Sequence, residues 1–356
     1  MTSKKIVAFF GCALDPDERD EAILEKRLLS EGDATTGAPY TEIMTLLRRE
    51  LNSEGWIDMG ILEVPLWLSP LPPEDAKKDI KLENFVSFID QNGCWDFAKA
   101  VGDFATGGIF PDIPCMIGID HSLSGGLLAA AVSYYHPESI SFIVLDSHID
   151  SMPTCVMAEA VEYDIRTNPN SVHNPFDPFL KNRPDSYNAG SFIFYLLTEN
   201  IIVPDNLFLL GVSDYPPRSA FRLKDKRIQR YVSFYSSLKE AGVNILTKKE
   251  LLHGTSCLRR VLERVKTKYV HISIDMDIGA RNALTGVRFQ NYRGISEIQI
   301  YKIAKCLREL LDQGKQLVGL DLMEFNPRRV AHVPSGVEDS TYRIACNLIK
   351  AILFEQ

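Results

Sequence analysis

The sequence predicts an α/β protein in which a parallel sheet is covered by helices on both faces. Short apolar runs typical of buried strands alternate along the chain with segments whose apolar residues recur at helical spacing. Such alternation is characteristic of parallel sheets, because each crossover between parallel strands carries a helix onto one face. No Gly/Ser-rich or charge-rich linker interrupts the 356 residues. We therefore expect a single domain that spans residues 1–356.

Strand-like and helix-like segments follow one another through the first third of the chain. The strand-like apolar runs are residues 6–10, 61–64 and 114–119. Residues 40–51 have the apolar spacing of a helix with one buried face, and residues 83–103 predict a helix interrupted at Gly93. A turn-rich segment at residues 32–39 predicts a connecting loop.

The rest of the chain continues the alternation. Further strands are predicted at residues 142–150, 206–212, 243–246, 269–277 and 316–324. Helices are predicted at residues 192–197, 218–242, 257–266, 296–314 and 344–354. A long polar, proline-rich excursion occupies residues 152–187. Because a segment of this length is uncommon without a function, we expect it to form a lid or a wall of a pocket.

Two of the predicted strands end in a regular pattern of metal-ligand residues. Asp146, His148 and Asp150 stand at every second position after an apolar run, and Asp275 and Asp277 repeat the pattern. In an extended chain, alternate side chains point to the same face, so each set would form a row along its strand. A single aspartate at a strand end is usually a helix cap. Five such residues on two strands favour a metal site.

These residues are expected to meet at one edge of the sheet, because the carboxyl ends of parallel strands lie together. The expected ligands are two imidazoles and four carboxylates, namely His121, Asp146, His148, Asp150, Asp275 and Asp277. Clustered carboxylates repel one another, and two divalent cations would offset their charge. Oxygen-rich ligation with some imidazole suits Mn²⁺, while Zn²⁺, Fe²⁺, Co²⁺ and Ni²⁺ stay open. A pair of such ions can activate a shared water, which is hydrolase chemistry.

Four segments carry a resemblance to a known family. They are Gly118-Ile-Asp-His-Ser122, Asp146-Ser-His-Ile-Asp150, Ser273-Ile-Asp-Met-Asp277 and Leu322-Met-Glu-Phe-Asn-Pro327. In this order they resemble the motifs G-G-D-H-S, D-A-H-x-D, S-x-D-x-D and E-x-N-P of the ureohydrolase superfamily, which includes arginase, agmatinase and formiminoglutamase. The resemblance covers residues 114–327 well and the first hundred residues only loosely.

The resemblance implies a three-layer α/β/α sandwich with a mostly parallel sheet, and assembly into homo-oligomers. It implies that one Mn²⁺ is held by His121, Asp146, Asp150 and Asp275. It implies that the other is held by Asp146, His148, Asp275 and Asp277. In the last motif, Glu324 would bind the substrate by accepting hydrogen bonds from a guanidinium-like group. We therefore expect Glu324 and Asp150 to be the catalytic residues.

The chain departs from the family pattern at four places. Ile119 replaces the second glycine of the first motif, and Ala280-Arg281 replaces the Asp-Pro that normally follows the third. Residues 188–192 lie where the family has a proton-transferring histidine, which leaves His173 or another residue of the excursion as candidates. Met152 stands where arginases have an asparagine for the amino-acid head group. Arginine is therefore disfavoured as the substrate.

Together these observations predict a binuclear metal-dependent hydrolase that cleaves a C–N bond of a small guanidino or amidino compound, in the manner of an agmatinase. Two alternatives stay open: hydrolysis of another amide or amidine, and a non-catalytic relative that keeps its metals for stability. Glu324 has an alternative role as a structural ion-pair partner. Arg281, Arg288 and Arg293 could hold an anionic substrate group or pair with neighbouring carboxylates.

The composition of the chain limits the kinds of partner that the protein can bind and indicates where it is located. The net charge is −8 with no long basic run, which argues against nucleic acid and anionic membranes as partners. No apolar run reaches the length of a signal peptide or a membrane span. The seven cysteines are scattered and lack a C-x-x-C pair. We therefore expect a cytoplasmic protein that acts on a small molecule.

Overall fold

The computed structural model describes residues 5–28, 38–52, 54–280, 282–291, 293–331 and 339–354. Eight strands lie in this part of the chain: β1 (Val7–Cys12), β2 (Trp56–Leu62), β3 (Ile113–Gly118), β4 (Ile140–Leu145), β5 (Leu207–Val212), β6 (Asn244–Thr247), β7 (Tyr269–Asp275) and β8 (Gln316–Met323). They form one sheet in the order β2-β1-β3-β8-β7-β4-β5-β6. Every neighbouring pair is parallel, so the predicted fold class is confirmed.

At least one helix lies between every two consecutive strands. The helices in the described residues are α1 (Asp20–Leu28), α2 (Pro39–Glu50), α3 (Leu82–Asp90), α4 (Gly93–Gly108), α5 (Leu123–Tyr135), α6 (Thr154–Thr167), α7 (Phe192–Thr198), α8 (Lys226–Glu240), α9 (Lys248–Leu252), α10 (Thr255–Leu262), α11 (Glu297–Asp312), α12 (Pro327–Ala331) and α13 (Thr341–Leu353). Among them, none combines the length and apolarity needed to span a bilayer.

Side chains alternate between the two faces of the sheet, and helices cover each face. On β1, Phe9 belongs to a buried cluster with Ile43 of α2 and Ile349 of α13. The next residue, Phe10, belongs to a separate buried cluster with Leu127 of α5. The layers therefore follow the order helix, sheet, helix, which is the three-layer sandwich that the resemblance implied.

The four central strands β3, β8, β7 and β4 lead to the predicted site residues. His121 follows β3, Asp146 follows β4, Asp275 ends β7 and Glu324 follows β8. Strands β4, β5 and β6 follow one another toward one edge of the sheet. The next two strands, β7 and β8, then lie between β4 and β3, so the order of the strands reverses at the centre. Ligands bind at such reversals of strand order, because neighbouring loops leave a crevice at the carboxyl edge.

One expectation about local structure is wrong. Because β4 ends at Leu145, residues 146–150 form a loop and not an extended strand, and Asp150 has a positive φ of 44°. An extended chain would spread these side chains over roughly 13 Å, at about 3.3 Å per residue, whereas a loop can turn them toward one point.

The excursion at 152–187 contains the helix α6, which its composition did not indicate. Residues 32–37 of the predicted connecting loop lie outside the described residues.

Candidate metal centre

A cluster of imidazole and carboxylate side chains lies at the carboxyl edge of the four central strands. The six residues that come together there are His121, Asp146, His148, Asp150, Asp275 and Asp277. They form two overlapping groups of four, and in each group one ligand atom per residue lies within 4.8 Å of the others. Since Asp146 and Asp275 belong to both groups, two cations could share these carboxylates.

The first group is buried and surrounds the imidazole of His121. Its Nδ1 lies 2.9 Å from Asp150 Oδ2, 3.2 Å from Asp146 Oδ2 and 3.4 Å from Asp275 Oδ2. Burial opposes protonation of His121, but the surrounding carboxylates of Asp146, Asp150 and Asp275 outweigh it and raise the pKa of the imidazole well above its ordinary value. The carboxylates thus attract positive charge at this point, as a cation site requires.

The second group opens toward solvent through His148, whose side chain is 40% exposed. Its Nδ1 lies 3.3 Å from Asp277 Oδ2 and 3.5 Å from Asp146 Oδ1. Burial would lower the pKa of His148, but the negative charge of Asp277 and the hydrogen bond to Asp146 raise it well above its ordinary value. A ligand could therefore reach this group from the open side.

The same local turn shapes both motifs. Asp146 Oδ1 accepts a hydrogen bond from the backbone N–H of His148 at 2.7 Å. Asp275 Oδ1 accepts one from the backbone N–H of Asp277, also at 2.7 Å. An aspartate that bonds the backbone two residues on makes an Asx turn. This turn bends the chain at the strand end and leaves the second oxygen of each aspartate for another partner.

The electrostatics of the cluster fit a site for divalent cations. Burial, followed by the charge of a neighbouring aspartate, raises the pKa of both Asp150 and Asp275 well above the ordinary value. Asp146 Oδ2 and both side-chain oxygens of Asp277 are buried without a hydrogen-bond partner among the described residues. Such buried acceptors are costly unless something compensates them. Carboxylate oxygens combined with imidazole nitrogen suit divalent ions such as Mn²⁺.

A buried hydrogen-bonded chain behind the cluster orients His121. Its Nε2 lies 2.9 Å from Ser273 Oγ, which donates to Asp321 Oδ1 at 2.5 Å. The other oxygen of Asp321 lies 2.7 Å from Nε2 of His271, which is also fully buried. Because Ser273 donates its own proton to Asp321, its oxygen accepts from His121 Nε2–H. In the neutral imidazole, this bond directs the Nδ1 lone pair of His121 at the cluster.

Glu324 lies beside the cluster, but its partner is an arginine of the chain itself. Glu324 Oε1 accepts hydrogen bonds from Arg288 Nη1 at 2.9 Å and from the backbone N–H of His121 at 3.1 Å. Burial raises the pKa of Glu324 to about 7, although the charge of Arg288 opposes this rise. Of the other candidate arginines, Arg293 is exposed and Arg281 lies outside the described residues.

A cavity of about 520 Å³ opens onto the cluster. His148, Asp277 and Glu324 line one side of it. The excursion lines another side through residues that include Val161 and Leu180. The excursion's His173 also lines the cavity, so it shares this space with the metal-ligand candidates.

Two residues of the site were not recognised from the sequence. Asp214 follows β5 and lines the cavity, and burial raises its pKa to about 6. Asp321 lies within β8 and is fully buried. Asp321 could have been recognised, because it is a single carboxylate inside an apolar strand. Charged groups are rarely buried unless they are paired, so such a carboxylate indicates a buried partner. Asp214 lacks a comparable local signal.

Fold and site together define a class of protein. It is an α/β sandwich that presents a carboxylate–imidazole centre, suited to two divalent cations, at the carboxyl edge of its parallel sheet. The family model of the arginase family matches residues 55–354, and the chain therefore belongs to the arginase family. This match confirms the resemblance to ureohydrolases.

Individual relatives are distant in sequence. An arginase of Staphylococcus aureus strain MRSA252 is 24% identical over 217 residues, which is 60% of this chain and 60% of that protein. The similarity therefore spans less than two thirds of the curated relatives' length. The crystal structure of arginase from Bacillus subtilis has a TM-score of 0.58 at 16% identity and covers 99% of both chains. Formimidoylglutamase from Bacillus subtilis has the same TM-score and identity, covering 98% of this chain and 86% of that one. These likenesses establish the fold.

Proposed function

We propose that this chain is a hydrolase that uses two divalent cations to cleave a C–N bond of a small guanidino or amidino compound. The observation that carries the proposal is the convergence of two imidazoles and four carboxylates at one edge of the sheet. Two divalent cations would balance the charge of the four aspartates. Three carboxylate oxygens of this cluster are buried and have no hydrogen-bond partner in the described residues. Membership in the arginase family supports the same class of reaction.

The ligand sets follow the two overlapping groups. One cation would be held by His121, Asp146, Asp150 and Asp275. The other would be held by Asp146, His148, Asp275 and Asp277. Bound in this way, divalent cations activate water for attack on carbon near neutral pH. We propose Mn²⁺ because the donors are mostly carboxylate oxygens and include no thiolate.

Asp150 and Glu324 are the proposed catalytic residues, and both line the cavity. Asp150 would hold one of the cations and lies at the wall of the cavity, where its carboxylate can accept a proton beside the reacting atoms. The Oε2 atom of Glu324 is buried without a hydrogen-bond partner among the described residues. It can accept a hydrogen bond from an N–H group of the substrate, while Oε1 stays bonded to Arg288.

The residues that line the cavity favour some substrates over others. Met152 is 5% exposed and lines the cavity, so an apolar side chain stands where an amino-acid head group would need a polar one. We therefore propose an agmatinase-like substrate and not arginine. We propose that residues 152–187 form a wall or lid of the cavity within a single domain spanning residues 1–356. Assembly as a homo-oligomer and a cytoplasmic location remain predictions.

A second candidate function is hydrolysis of a neutral amide-type group. The specific observation in its favour is that Glu324 already bonds the guanidinium of Arg288. A third candidate, a non-catalytic relative, is favoured by the Asn188 segment, which lacks the family's proton-transferring histidine. His173 lines the same cavity and is the alternative proton carrier.

The test is an assay of purified protein loaded with Mn²⁺. Release of the amine product is measured over arginine, agmatine, 4-guanidinobutyrate, formiminoglutamate and their neutral analogues, with and without a chelator. Metal-dependent cleavage of at least one guanidino or amidino compound supports the proposal, and Asp277→Asn should abolish it. Cleavage of the neutral analogues alone would favour the second candidate. Complete inactivity of protein shown by elemental analysis to hold two ions would favour the non-catalytic relative.

A further inference from the structure

The candidate metal centre occupies one part of the cavity, and apolar side chains line much of the rest. We propose that the substrate is a guanidine or amidine whose substituent is an uncharged apolar chain that lies against helix α6. This inference rests on the proposed function, since it concerns the compound that is bound at the same centre. It deepens that function by naming the chemical class of the substrate's tail.

The cavity is larger than a guanidino group requires. Its volume of about 520 Å³ lies within the range of roughly 300–1,000 Å³ that is typical of pockets for drug-sized ligands. The candidate metal ligand Asp277 and the proposed substrate residue Glu324 line the part where the reacting group would be placed. The remaining space is then left to the substituent of that group.

Helix α6 turns one face toward the cavity, and most of this face is apolar. Four residues of α6 line the cavity, and the last three of them follow the first by three, four and seven positions, namely Thr154, Met157, Ala158 and Val161. Residues at this spacing share one face of a helix. Met157 is 42% exposed at this face. A methionine side chain is flexible and polarisable, so it can adapt to an apolar chain of the substrate.

Apolar residues of other segments line the same cavity. They are Ile89 at the end of α3, Met152 before α6, Phe179 and Leu180 of the excursion, and Ala189 after it. Ligand pockets are mostly lined in this way, with a small number of polar groups that fix the orientation of the ligand. In this cavity, the metal-ligand cluster and Glu324 would orient the reacting group, while the apolar residues would contact its tail.

The other sides of α6 are fixed to the protein, so its apolar face stays at the cavity. Val156 is fully buried in the core, and Glu159 Oε1 accepts a hydrogen bond from Arg230 Nη1 of α8 at 2.8 Å. Later in the excursion, Arg183 Nη2 donates to Asp90 Oδ1 of α3 at 2.7 Å. These contacts hold the excursion in place without using the face that lines the cavity.

The arginines that line the cavity in the described residues are paired with carboxylates, which disfavours an anionic tail. The ion pairs are Arg19 with Asp17 at 2.5 Å, Arg183 with Glu18 at 2.6 Å, and Arg288 with Asp120 at 3.2 Å and with Glu324 at 2.9 Å. A carboxylate on the substrate would have to break such a pair. The same pairs occupy the carboxylates of Asp17 and Glu18, which an ammonium group would otherwise use.

Two described carboxylates at the cavity wall lie outside both the metal-ligand cluster and these ion pairs. Asp177 Oδ1 accepts a hydrogen bond from the backbone N–H of Phe179 at 2.8 Å, which makes an Asx turn in the excursion. Asp214 Oδ2 accepts one from the backbone N–H of Ile149 at 3.4 Å, in the loop that carries the metal ligands of the second motif. Both therefore support the walls of the cavity, whereas an apolar chain needs no charged partner.

A series of alkylguanidines tests the inference by activity. Water adds its oxygen to the guanidino carbon, the bond from that carbon to the substituted nitrogen breaks, and this nitrogen takes up a proton and leaves as an amine. Urea is therefore the product common to the series. Pentylguanidine is the match for agmatine, because it carries a methyl group in place of the terminal ammonium.

We expect kcat/KM of Mn²⁺-loaded protein to be about tenfold or more higher for pentylguanidine than for agmatine, since an ammonium group without a partner is costly to bury. From butylguanidine to hexylguanidine, each added methylene should raise kcat/KM by about threefold to fourfold. Faster cleavage of agmatine or 4-guanidinobutyrate than of pentylguanidine would overturn the inference.

A change in α6 tests whether this helix is the wall that recognises the tail. Met157→Glu places a carboxylate on the apolar face, so it should reverse the preference between pentylguanidine and agmatine. Ile298→Glu makes the same kind of change at an exposed position of α11 away from the cavity and should leave the ratio unchanged. Thermal unfolding shows whether both variants fold. If Met157→Glu does not fold, the preference of the unaltered protein still decides the question, and a ratio that folded Met157→Glu leaves unchanged contradicts the inference.

Binding separates this inference from the proposed function. Isothermal titration calorimetry gives the Kd of pentylguanidine, agmatine and 4-guanidinobutyrate, whether or not any of them is cleaved. Tighter binding of pentylguanidine, reversed in Met157→Glu, supports the apolar tail even if no compound is hydrolysed, an outcome that would refute only the hydrolase function. Tighter binding of either charged compound would overturn the inference while leaving the hydrolase function standing. Binding of none of the three would overturn the inference as well.

Discussion

At the scale of single residues, Asp275 joins the two halves of the candidate metal centre, because it belongs to both ligand groups. We predict that Asp275→Asn lowers the content of both ions in Mn²⁺-loaded protein, as measured by elemental analysis. The same change should leave the chelator-treated protein at least as stable as the unaltered one, since it removes one of four repelling carboxylates. Unchanged metal content would contradict the shared role of Asp275.

Asp321 acts on the centre through other residues and is a positioning residue. It accepts a hydrogen bond from Ser273, which in turn holds Nε2 of His121. We predict that Asp321→Asn weakens metal binding by about tenfold to a hundredfold, because His121 loses its fixed orientation. Calorimetric titration with Mn²⁺ measures this change. Ser124→Ala removes another hydroxyl bonded to Asp321 and is the control, which should have a smaller effect.

At the scale of elements, α4 and α5 cross at a contact that only glycine permits. A Cβ atom at Gly126 of α5 would lie 1.8 Å from the carbonyl oxygen of Ala98 in α4. We predict that Gly126→Ala destabilises the fold by about 3 kcal/mol or more, because backbone cannot give way as a flexible side chain can. Urea unfolding measures this loss.

Gly107 of α4 is the matched control for this contact. Apart from its chain neighbours and the backbone of its own helix, no described residue has an atom within 4 Å of a Cβ built there. Gly107→Ala should raise the free energy of unfolding by up to about 1 kcal/mol, since alanine is the better helix former. Similar losses in both variants would contradict a role for the contact between the helices.

Helix α1 buries a lysine, and this makes stability depend on pH. Burial lowers the pKa of Lys26 to about 8 from 10.5, although its partner Asp15 opposes the shift. Between these values the unfolded chain holds a proton that the folded protein has released. Stability should therefore rise with pH across this window.

The size and origin of that rise can be tested against Lys26→Met, which lacks the titrating group. From pH 8 to pH 10.5, the free energy of unfolding of the unaltered protein should gain roughly 3 kcal/mol relative to the variant, as a shift of this size implies. Urea unfolding at several pH values measures the difference. Parallel profiles would show that Lys26 does not titrate in this range.

At the scale of the whole molecule, the candidate centre joins loops from β3, β4 and β7, so bound cations should stabilise the entire fold. We predict that chelation lowers the melting temperature and that Mn²⁺ restores it. A ligand at a hundred times its Kd adds about 2.7 kcal/mol of stability. Differential scanning calorimetry measures the shift, and Asp275→Asn should respond much less. An equal response in both proteins would place the stabilising ions elsewhere.

Much of the fold could be predicted from the sequence, because an element that buries one face has apolar residues at regular spacing along the chain. Apolar runs separated by helical spacing predicted the parallel α/β sheet, and the gap at Gly93 correctly divided α3 from α4. The residue pattern around Asp146 and Asp275 identified two ligand-bearing segments. It did not predict the loop at residues 146–150, because alternation alone cannot distinguish a strand from the Asx turn that ends it.

The sequence by itself determined the fold class, the family and the six candidate ligands, since these depend on spacing between residues close together in the chain. Only the tertiary structure decided that Glu324 pairs with Arg288 and that His271 reaches Asp321. These partners are 36 and 50 residues apart. Their contacts arise because the chain returns to place β7 and β8 at the centre of the sheet, and no local pattern records which side chains then meet.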